Sequence, residues 1–390
     1  MAETSYLGWP FFEERHRDLA ARLESWAQNE LPKVVVSEKE EQEELAKSCR
    51  NLAQALGKAG FLAHCVAGPK GEVMDARSIA IGREILARHA GLADFVFAMQ
   101  GLGTGPVSLF GSPAQQAHWL PKVIKGECLS AFALSEKEAG SDVASLATTA
   151  VQDGDHWVLN GGKTWISNAG VAGLYVVFAR TGEAPGAKGL SAFIVEPTDP
   201  GFSVSEFIDV IAPHPLGSLL FKNCRIPADR LVGQTGQGFK IAMATLDIFR
   251  TTVGAAALGF ARRALDEAVE RANRRKLFGH TLGEFQITQD RLADSAVEID
   301  ASALLVYRSA WTKDVLKQRV TRESSMAKLF ATEAAQRVID RAVQIWGGLG
   351  VVKGVPVERL YREIRALRIY EGASEVQKLI IAGRVLSGEG

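Results

Sequence analysis

The run "IYEGASEVQ" (369–377) places one acid, Glu371, directly before a glycine, at a break between two stretches of helical character. Arg359, Arg362, Arg365 and Arg368 lead into the break. Beyond it, Ser374 and Gln377 have the spacing of a capping box that opens a last helix. A carboxylate at such a place has two uses. Left at the surface, it complements a helix N-terminus and adds a few tenths to about 1 kcal/mol. Turned into a cavity, it loses solvation, its pKa climbs from roughly 4.3 toward neutrality, and it becomes a competent general base.

Four other segments could carry chemistry, each with a plainer structural reading. "FALSEKEAGSDVASLATTA" (132–150) offers amides around Gly140 and hydroxyls on Ser135, Ser141 and Ser145. It can bind the flat polar edge of a ring or a phosphate, or serve as a polar interdomain turn. "KTWISNAG" (163–170) puts Trp165 and Ser167 on one face of an expected strand, as a lining for a planar ligand or as core. "RRKLFGHTLGEFQ" (274–286) follows a long helix, and its basic residues suit the helix dipole or a pyrophosphate. "VQIWGGLG" (343–350) reads as a helix C-cap or a close backbone approach to a ligand.

Other carriers of chemistry are missing. "GLGTGP" (101–106) has no strand leading into it and reads as a loop, and "NGGKT" (160–164) lacks the first glycine of a P-loop because Trp157 stands there. The seven histidines show no HxxxH spacing and no Cys/His cluster suggests a metal, so no metal site is expected; GxSxG is absent.

These residues must be positioned by a chain of 390 residues, long enough for two or three domains. Lys+Arg 45 balance Asp+Glu 45, with no basic stretch for nucleic acid or an anionic membrane. Four scattered cysteines without CxxC suit reduced thiols and a cytoplasmic location. The N-terminus shows no secretory signal and no apolar run is long enough for a membrane span. Helical spacing dominates residues 11–128, including "EERHRDLAARLESWAQNEL", "EEQEELAKSCRNLAQALGKAGF" and "ARSIAIGREILARHAG". From about 129, short runs such as "HWVLNGGKTWISNAG", "LYVVFART", "LSAFIVE", "FSVSEFIDV" and "GSLLFKNCRIP" alternate with Gly/Pro/Asp turns, the pattern of an antiparallel β unit. From about 237, apolar stripes return. Phe239–Met243–Leu246–Phe249 continues through Phe260, Leu265 and Val269; a second runs from Leu292 through Ala296 to Ala310, and a third from Phe330 to Ile345. The expectation is an α+β multidomain protein: an N-terminal helical domain (1–128), a middle antiparallel, barrel-like β domain (129–236) and a C-terminal four-helix bundle (237–390).

Taken together, the segments resemble the acyl-CoA dehydrogenase family over nearly the whole length. "FALSEKEAGSD" is similar to its E-P-x-A-G-S-D loop and "LNGGKTWISNAG" to L-N-G-x-K-x-W-I-T-N-x. "RRKLFGHTLGEFQ" is similar to R-x-x-F-G-x-x-L-x-x-F-Q. "VQIWGGLGVVKGVPVERLYREIRALRIYEGASEVQ" is similar to the family's Q-x-x-G-G-x-G … R-D-x-R … I-Y-E-G-T-x-x-I-Q ending. The resemblance implies FAD held between the middle domain and the C-terminal bundle, a homotetramer, and an electron-transfer flavoprotein as acceptor. It assigns Phe132, Leu134, Ser135, Trp165, Ser167 and Ala373 to the cofactor. Arg275, Phe278, Gln286, Gln344, Gly347 and Gly348 would reach it from a neighbouring subunit. Ser141, Asp247, Arg250, Tyr370 and Gly372 would meet the acyl-CoA, and Glu371 would take the α-proton while the β-hydrogen leaves as hydride to flavin N5, giving a trans-2-enoyl-CoA.

Three departures stand out: Lys137 for the family's proline, Ala373 for its threonine, and Pro213–His214–Pro215 where the family has an Arg and Ser/Thr-rich stretch. His214 reads as a loop or interface residue. An acyl-CoA oxidase or flavin monooxygenase on the same fold, and a flavin-free acyl-CoA-binding protein, are the alternatives; Glu371 argues against the monooxygenase.

Overall fold

The computed structural model describes residues 4–34, 42–68 and 74–388. Glu40 and Glu41, at the start of the second expected helix, lie outside the described residues. Helices α1 (Glu14–Asn29), α2 (Leu31–Val34), α3 (Gln42–Lys58), α4 (Ala76–His89), α5 (Gly91–Phe110) and α6 (Pro113–Ile124) come first. Strands β1 (Ser130–Ala133), β2 (Thr149–Asp153), β3 (His156–Ser167), β4 (Leu174–Arg180), β5 (Leu190–Val195), β6 (Phe202–Phe207), β7 (Leu216–Pro227) and β8 (Leu231–Val232) follow. Then come α7 (Gly238–Arg274), a β9–β10 hairpin (Lys276–Leu277, His280–Thr281), α8 (Gln286–Asp314), α9 (Thr321–Trp346), α10 (Pro356–Leu367) and α11 (Ser374–Ser387).

The chain forms two compact units, and they cut across the three expected regions. One joins Met1–Leu31, Asp75–Asp94 and Asp247–Gly390; the other joins Pro32–Met74 and Phe95–Leu246. The α–β–α order of elements is as the periodicities indicate, but α1 and α4 belong with the C-terminal helices. The reason is local: α1 buries Leu19, Leu23 and Ala27 on one stripe, and that stripe packs on α4, which in turn packs on α8.

In the second unit the strands run in the order β6-β7-β3-β2-β4-β5-β8, with β1 also on β4. Most pairings are antiparallel. The exceptions are β1 with β4 and β2 with β4, which are parallel, so the sheet is mixed rather than wholly antiparallel. Neither parallel pair uses a helical crossover; strands of the intervening hairpin and an irregular loop make the return. Leu159, Tyr175, Val177, Phe193, Leu219 and Phe221 form its core. Each such side chain contributes about 1.5–3 kcal/mol by leaving water.

The "GLGTGP" run is not a loop. It lies inside α5, with Pro106 within the helix. Its glycines are there for contact. A Cβ on Gly103 would stand 2.5 Å from Ser130 Oγ, and one on Gly105 would stand 2.5 Å from the Thr245 methyl. Close packing outweighs the roughly 1 kcal/mol that each helical glycine costs.

In the first unit α8, α10 and α11 pack on α9, and Thr251 Oγ1 meets Ser309 Oγ at 2.8 Å between α7 and α8. The expected α7 stripe is one continuous helix. On α8 the buried seam runs through Thr288, Ser295, Ile299, Ser302 and Val306, whereas Ala296 faces out. By length and apolar content α7 could cross a membrane, but most of that stretch is buried within the protein. The start of α4 is tied to the end of α8. The amides of Ala76 and Arg77 donate to the Asp314 carboxyl at 3.0 and 2.8 Å. Asp75 accepts from His16 Nε2 at 2.8 Å and from Ser78 Oγ at 2.7 Å, while the Glu13 amide donates to His16 Nδ1. Burial and the neighbouring Asp75 raise the Asp314 pKa to about 7. Burial also works to raise Asp75, but its bonds from His16, Asp314 and Ser78 outweigh it and hold it far below the carboxylate range.

Candidate active site

Helix α10 starts with a proline and buries Val357, Leu360, Ile364 and Leu367, spaced at three and four residues. It ends where the amides of Ile369 and Tyr370 both turn back to the Ala366 carbonyl, at 2.9 and 3.1 Å. The next two residues, Glu371 (φ 52°) and Gly372 (φ 94°), are both left-handed. A non-glycine residue in that region stores strain and is held there by its surroundings. Glu333 of α9 supplies the restraint: it accepts from Arg368 Nε at 2.9 Å and from Ser374 Oγ at 2.6 Å, so one carboxylate clamps both sides of the turn.

The expected capping box is absent. Ala373 is the N-cap of α11, without a side-chain cap, because the Ser374 hydroxyl is committed to Glu333. Gln377 turns back into the loop instead, its Nε2 donating to the carbonyls of Gly372 (2.9 Å) and Glu371 (3.4 Å). A Cβ on Gly372 would stand 2.3 Å from that Nε2, so the position requires glycine for space as well as for φ.

The Glu371 Oε2 is buried without a hydrogen-bond partner. Burial raises its pKa; Arg83, Lys328 and Arg250 pull the other way, and Asp94 adds to the rise. Arg83 forms a buried fork on Asp94, with Nε and Nη2 each 2.9 Å from a carboxylate oxygen, and its Nη1 reaches Thr252 Oγ1 at 3.3 Å. Arg250 donates from Nε to the Glu371 carbonyl (3.4 Å) and from Nη1 to Asp247 (3.3 Å), and Asp247 also accepts from Thr321 Oγ1 at 3.1 Å. Lys328 Nζ donates to the Gly372 carbonyl at 2.7 Å. Asp247, Arg250, Glu371 and Gly372 are therefore one assembly, and Tyr370 stands beside it, 40% exposed. A carboxylate with a raised pKa and an uncommitted oxygen, on a rigid turn, can accept a proton from carbon.

The second unit carries the loop after β1. Lys163 is fully buried; its Nζ donates to the Leu134 carbonyl (3.0 Å) and to Glu136 Oε1 (2.7 Å). Glu136 also accepts from the amides of Ala147 (2.7 Å) and Thr148 (3.0 Å), so one ion pair ties both ends of the 134–148 loop to β3. Burial brings the Lys163 pKa down to about 8, against the pull of Glu136. Within this frame Phe132 is half-buried against Phe178, Leu134 is buried, and the Ser135 carbonyl accepts the Thr164 amide. Ser141 is exposed and Lys137 changes only an exposed turn position.

Trp165 is no core residue. A register shift between Lys163 and Ile166 bulges β3, gives Trp165 a φ of 59° and leaves it 59% exposed, while Ser167 is half-buried. His214 is a loop residue, edge-on to Phe95 at 4.6 Å between centroids, and the Pro215 carbonyl accepts the Asn168 amide at 2.8 Å.

The remaining candidates lie at the surface of the first unit. Arg275 and Phe278 sit on the β9–β10 hairpin, Phe278 at its tip with φ 51° and 90% exposed, and Gln286 starts α8. Gly347 is the C-cap of α9, as expected; Gln344, Gly347 and Gly348 are exposed, and no atom lies within 4 Å of a Cβ on either glycine. Sequence reasoning missed Arg83, Asp94, Glu136, Lys163, Lys328 and Glu333. The signal available for Lys328 was a cation on the small-residue stripe of α9, between Ala327 and Ala331.

Comparison with known proteins gives concordant results. Profiles of the acyl-CoA dehydrogenase N-terminal, middle and C-terminal domains match residues 13–127, 131–224 and 236–386. The mouse protein "Short-chain specific acyl-CoA dehydrogenase, mitochondrial" is 39% identical over 377 residues, covering 96% of this chain and 90% of that one. Butyryl-CoA dehydrogenase from Megasphaera elsdenii superposes with a TM-score of 0.87 at 32% identity, covering 96% and 99% of the two chains. A chain from a structure described as an electron transferring flavoprotein of Acidaminococcus fermentans gives 0.88 at 34% identity, covering 96% and 98%.

Proposed function

Since the chain belongs to the acyl-CoA dehydrogenase family, FAD-dependent oxidoreductases acting on the CH–CH bond of an acyl-CoA, we propose that Glu371 is its catalytic base. One observation carries this reading: the buried, partnerless Oε2 on a left-handed turn whose backbone is held from both sides. Glu371 removes the α-proton of the thioester. Its raised pKa makes it a stronger base than a solvated carboxylate, and Arg83, Lys328 and Arg250 offset part of that rise. Asp247 and Arg250 hold the loop for the acyl group, and Tyr370, Gly372 and Ser141 contribute to substrate contact.

FAD, when bound, would supply the hydride acceptor for the β-hydrogen. The residues present fit it: Trp165 offers an exposed indole fixed by a bulge, and Gly347 and Gly348 leave open space for a ligand's polar chain. Phe132, Leu134, Ser135, Ser167 and Ala373 would line that cofactor, joined by Arg275, Phe278, Gln286, Gln344, Gly347 and Gly348 from a neighbouring copy. Large exposed apolar side chains at Val351, Leu379 and Leu386, with Phe278, support the association with a neighbouring copy that this sharing needs, a homotetramer in this reading. The relatives' names favour a short acyl chain, and an electron-transfer flavoprotein as electron acceptor. Four free cysteines accord with a cytoplasmic place for the enzyme.

The test is Glu371→Gln in the FAD-loaded protein, assayed on a panel of acyl-CoA thioesters with an artificial acceptor. Turnover is expected to fall by about 10³-fold or more while flavin content is unchanged. A variant retaining near-normal turnover overturns the assignment.

A further inference from the structure

Lys328 is a buried ammonium beside the Glu371 turn that the reaction as described brings into contact with neither substrate nor cofactor. It lies on α9, completely shielded from solvent. Its Nζ donates to one acceptor, the Gly372 carbonyl at 2.7 Å, on the peptide that follows Glu371. It makes no ion pair among the described residues.

The charges around it are otherwise committed. Arg250 of α7 is bonded to Asp247. Glu333 of α9 is taken up by Arg368 and Ser374, and Glu375 of α11 is exposed. Around Glu371, Arg83 of α4 is forked onto Asp94. That leaves an ammonium without an ion-pair partner among the described residues and a carboxylate with an unbonded oxygen, linked through the Gly372 carbonyl to which the ammonium donates. A buried charge of either sign is costly unless an opposite charge is near.

We propose that Lys328 is a positioning residue for Glu371: its N–H fixes the Gly372 peptide that aims the side chain, and its charge is the counter-charge that keeps the buried carboxylate ionised. This rests on the reading of Glu371 as the base. Burial brings the Lys328 pKa down to about 8, with Glu371 first among the charges that resist the fall. When Glu371 gains the substrate proton, the ammonium loses its counter-charge, and return of that proton to solvent restores it.

The experiment measures kcat/KM against pH for the FAD-loaded parent and for Lys328→Met, Lys328→Gln and Lys328→Arg. Glutamine can still donate to the Gly372 carbonyl but carries no charge, and arginine restores the charge. The acidic limb of the profile is expected to move up by at least one pH unit in both neutral variants, a tenfold or greater loss on that limb. Arginine should return it toward the parent, with flavin content constant throughout. If methionine prevents folding, glutamine and arginine alone decide the matter. A uniform drop in rate with an unmoved limb, in any folded neutral variant, overturns the role of Lys328. That result, with Glu371→Gln inactive, leaves the base assignment standing; an active Glu371→Gln removes both.

Discussion

Replacing Glu136 by glutamine should strip a buried ammonium of its partner, and the cost can be worked through. The fall of the Lys163 pKa from 10.5 to about 8 means that folding an ionised Lys163 costs about 3 kcal/mol even with Glu136 beside it. Without Glu136 the amine escapes by releasing its proton, which at pH 7 costs about 5 kcal/mol relative to the unfolded chain. The added penalty on lysine is therefore capped at about 1–2 kcal/mol. Glutamine can serve only one of the two amides, Ala147 or Thr148, that now bond the carboxylate. The lost charged acceptor adds about 1.5–3 kcal/mol, for a total near 3 kcal/mol at pH 7. Urea unfolding of the FAD-loaded protein, followed by tryptophan fluorescence, reads it, since Trp157 and Trp165 lie on β3. The deficit should narrow at pH 9.5, where Lys163 is neutral in both proteins. Adding Lys163→Met should recover at least half of the loss at pH 7, because a neutral pair of similar shape leaves no orphaned charge. A variant within about 1 kcal/mol of the parent at pH 7, or an unchanged deficit at pH 9.5, would refute the reasoning.

Two further outcomes are expected. Asp314 has a raised pKa, so its contribution to stability is complete below about 3.8 and is lost as pH rises to about 7. Asp314→Asn removes that titration, and melting temperatures should shift in the variant's favour between pH 5 and 7 by an equivalent of about 2 kcal/mol; parallel pH curves for the two proteins would contradict the raised Asp314 pKa. Gly372→Ala forces a Cβ against Gln377 Nε2 at a φ of 94°. The strain, about 1–3 kcal/mol, should shift the Glu371 turn and cut turnover more than tenfold with flavin retained, and a variant with parental kcat would show that the turn tolerates the bulk.

Local pattern was enough to see the order of helices and strands, the break at Glu371 and the cap at Gly347. Each depends on residues within a few positions of one another. What pattern could not show depends on distant partners. "GLGTGP" looks like a loop until Ser130 and Thr245 press against its glycines. Ser374 looks like a cap until Glu333, 41 residues earlier, claims its hydroxyl. Lys163, Lys328 and Arg83 are indistinguishable in the sequence from solvated surface cations. Only the fold puts Glu136, Gly372 and Asp94 against them. The same holds for the two units, because nothing near α1 announces that its apolar stripe is destined for α4.

That interleaving bears on synthesis at the ribosome. The Tyr6 ring stacks on Tyr307 at 5.6 Å, and the Ala76 amide waits for an acceptor 238 residues downstream. The sheet-bearing unit ends at Leu246 and can condense as soon as that residue clears the exit tunnel. The other unit cannot close until α8 and the helices after it have been made. Throughout that interval Tyr6 lacks the Tyr307 ring and α4 lacks α8, so a nascent chain stalled before α8 should be a preferred client of chaperones that recognise apolar segments.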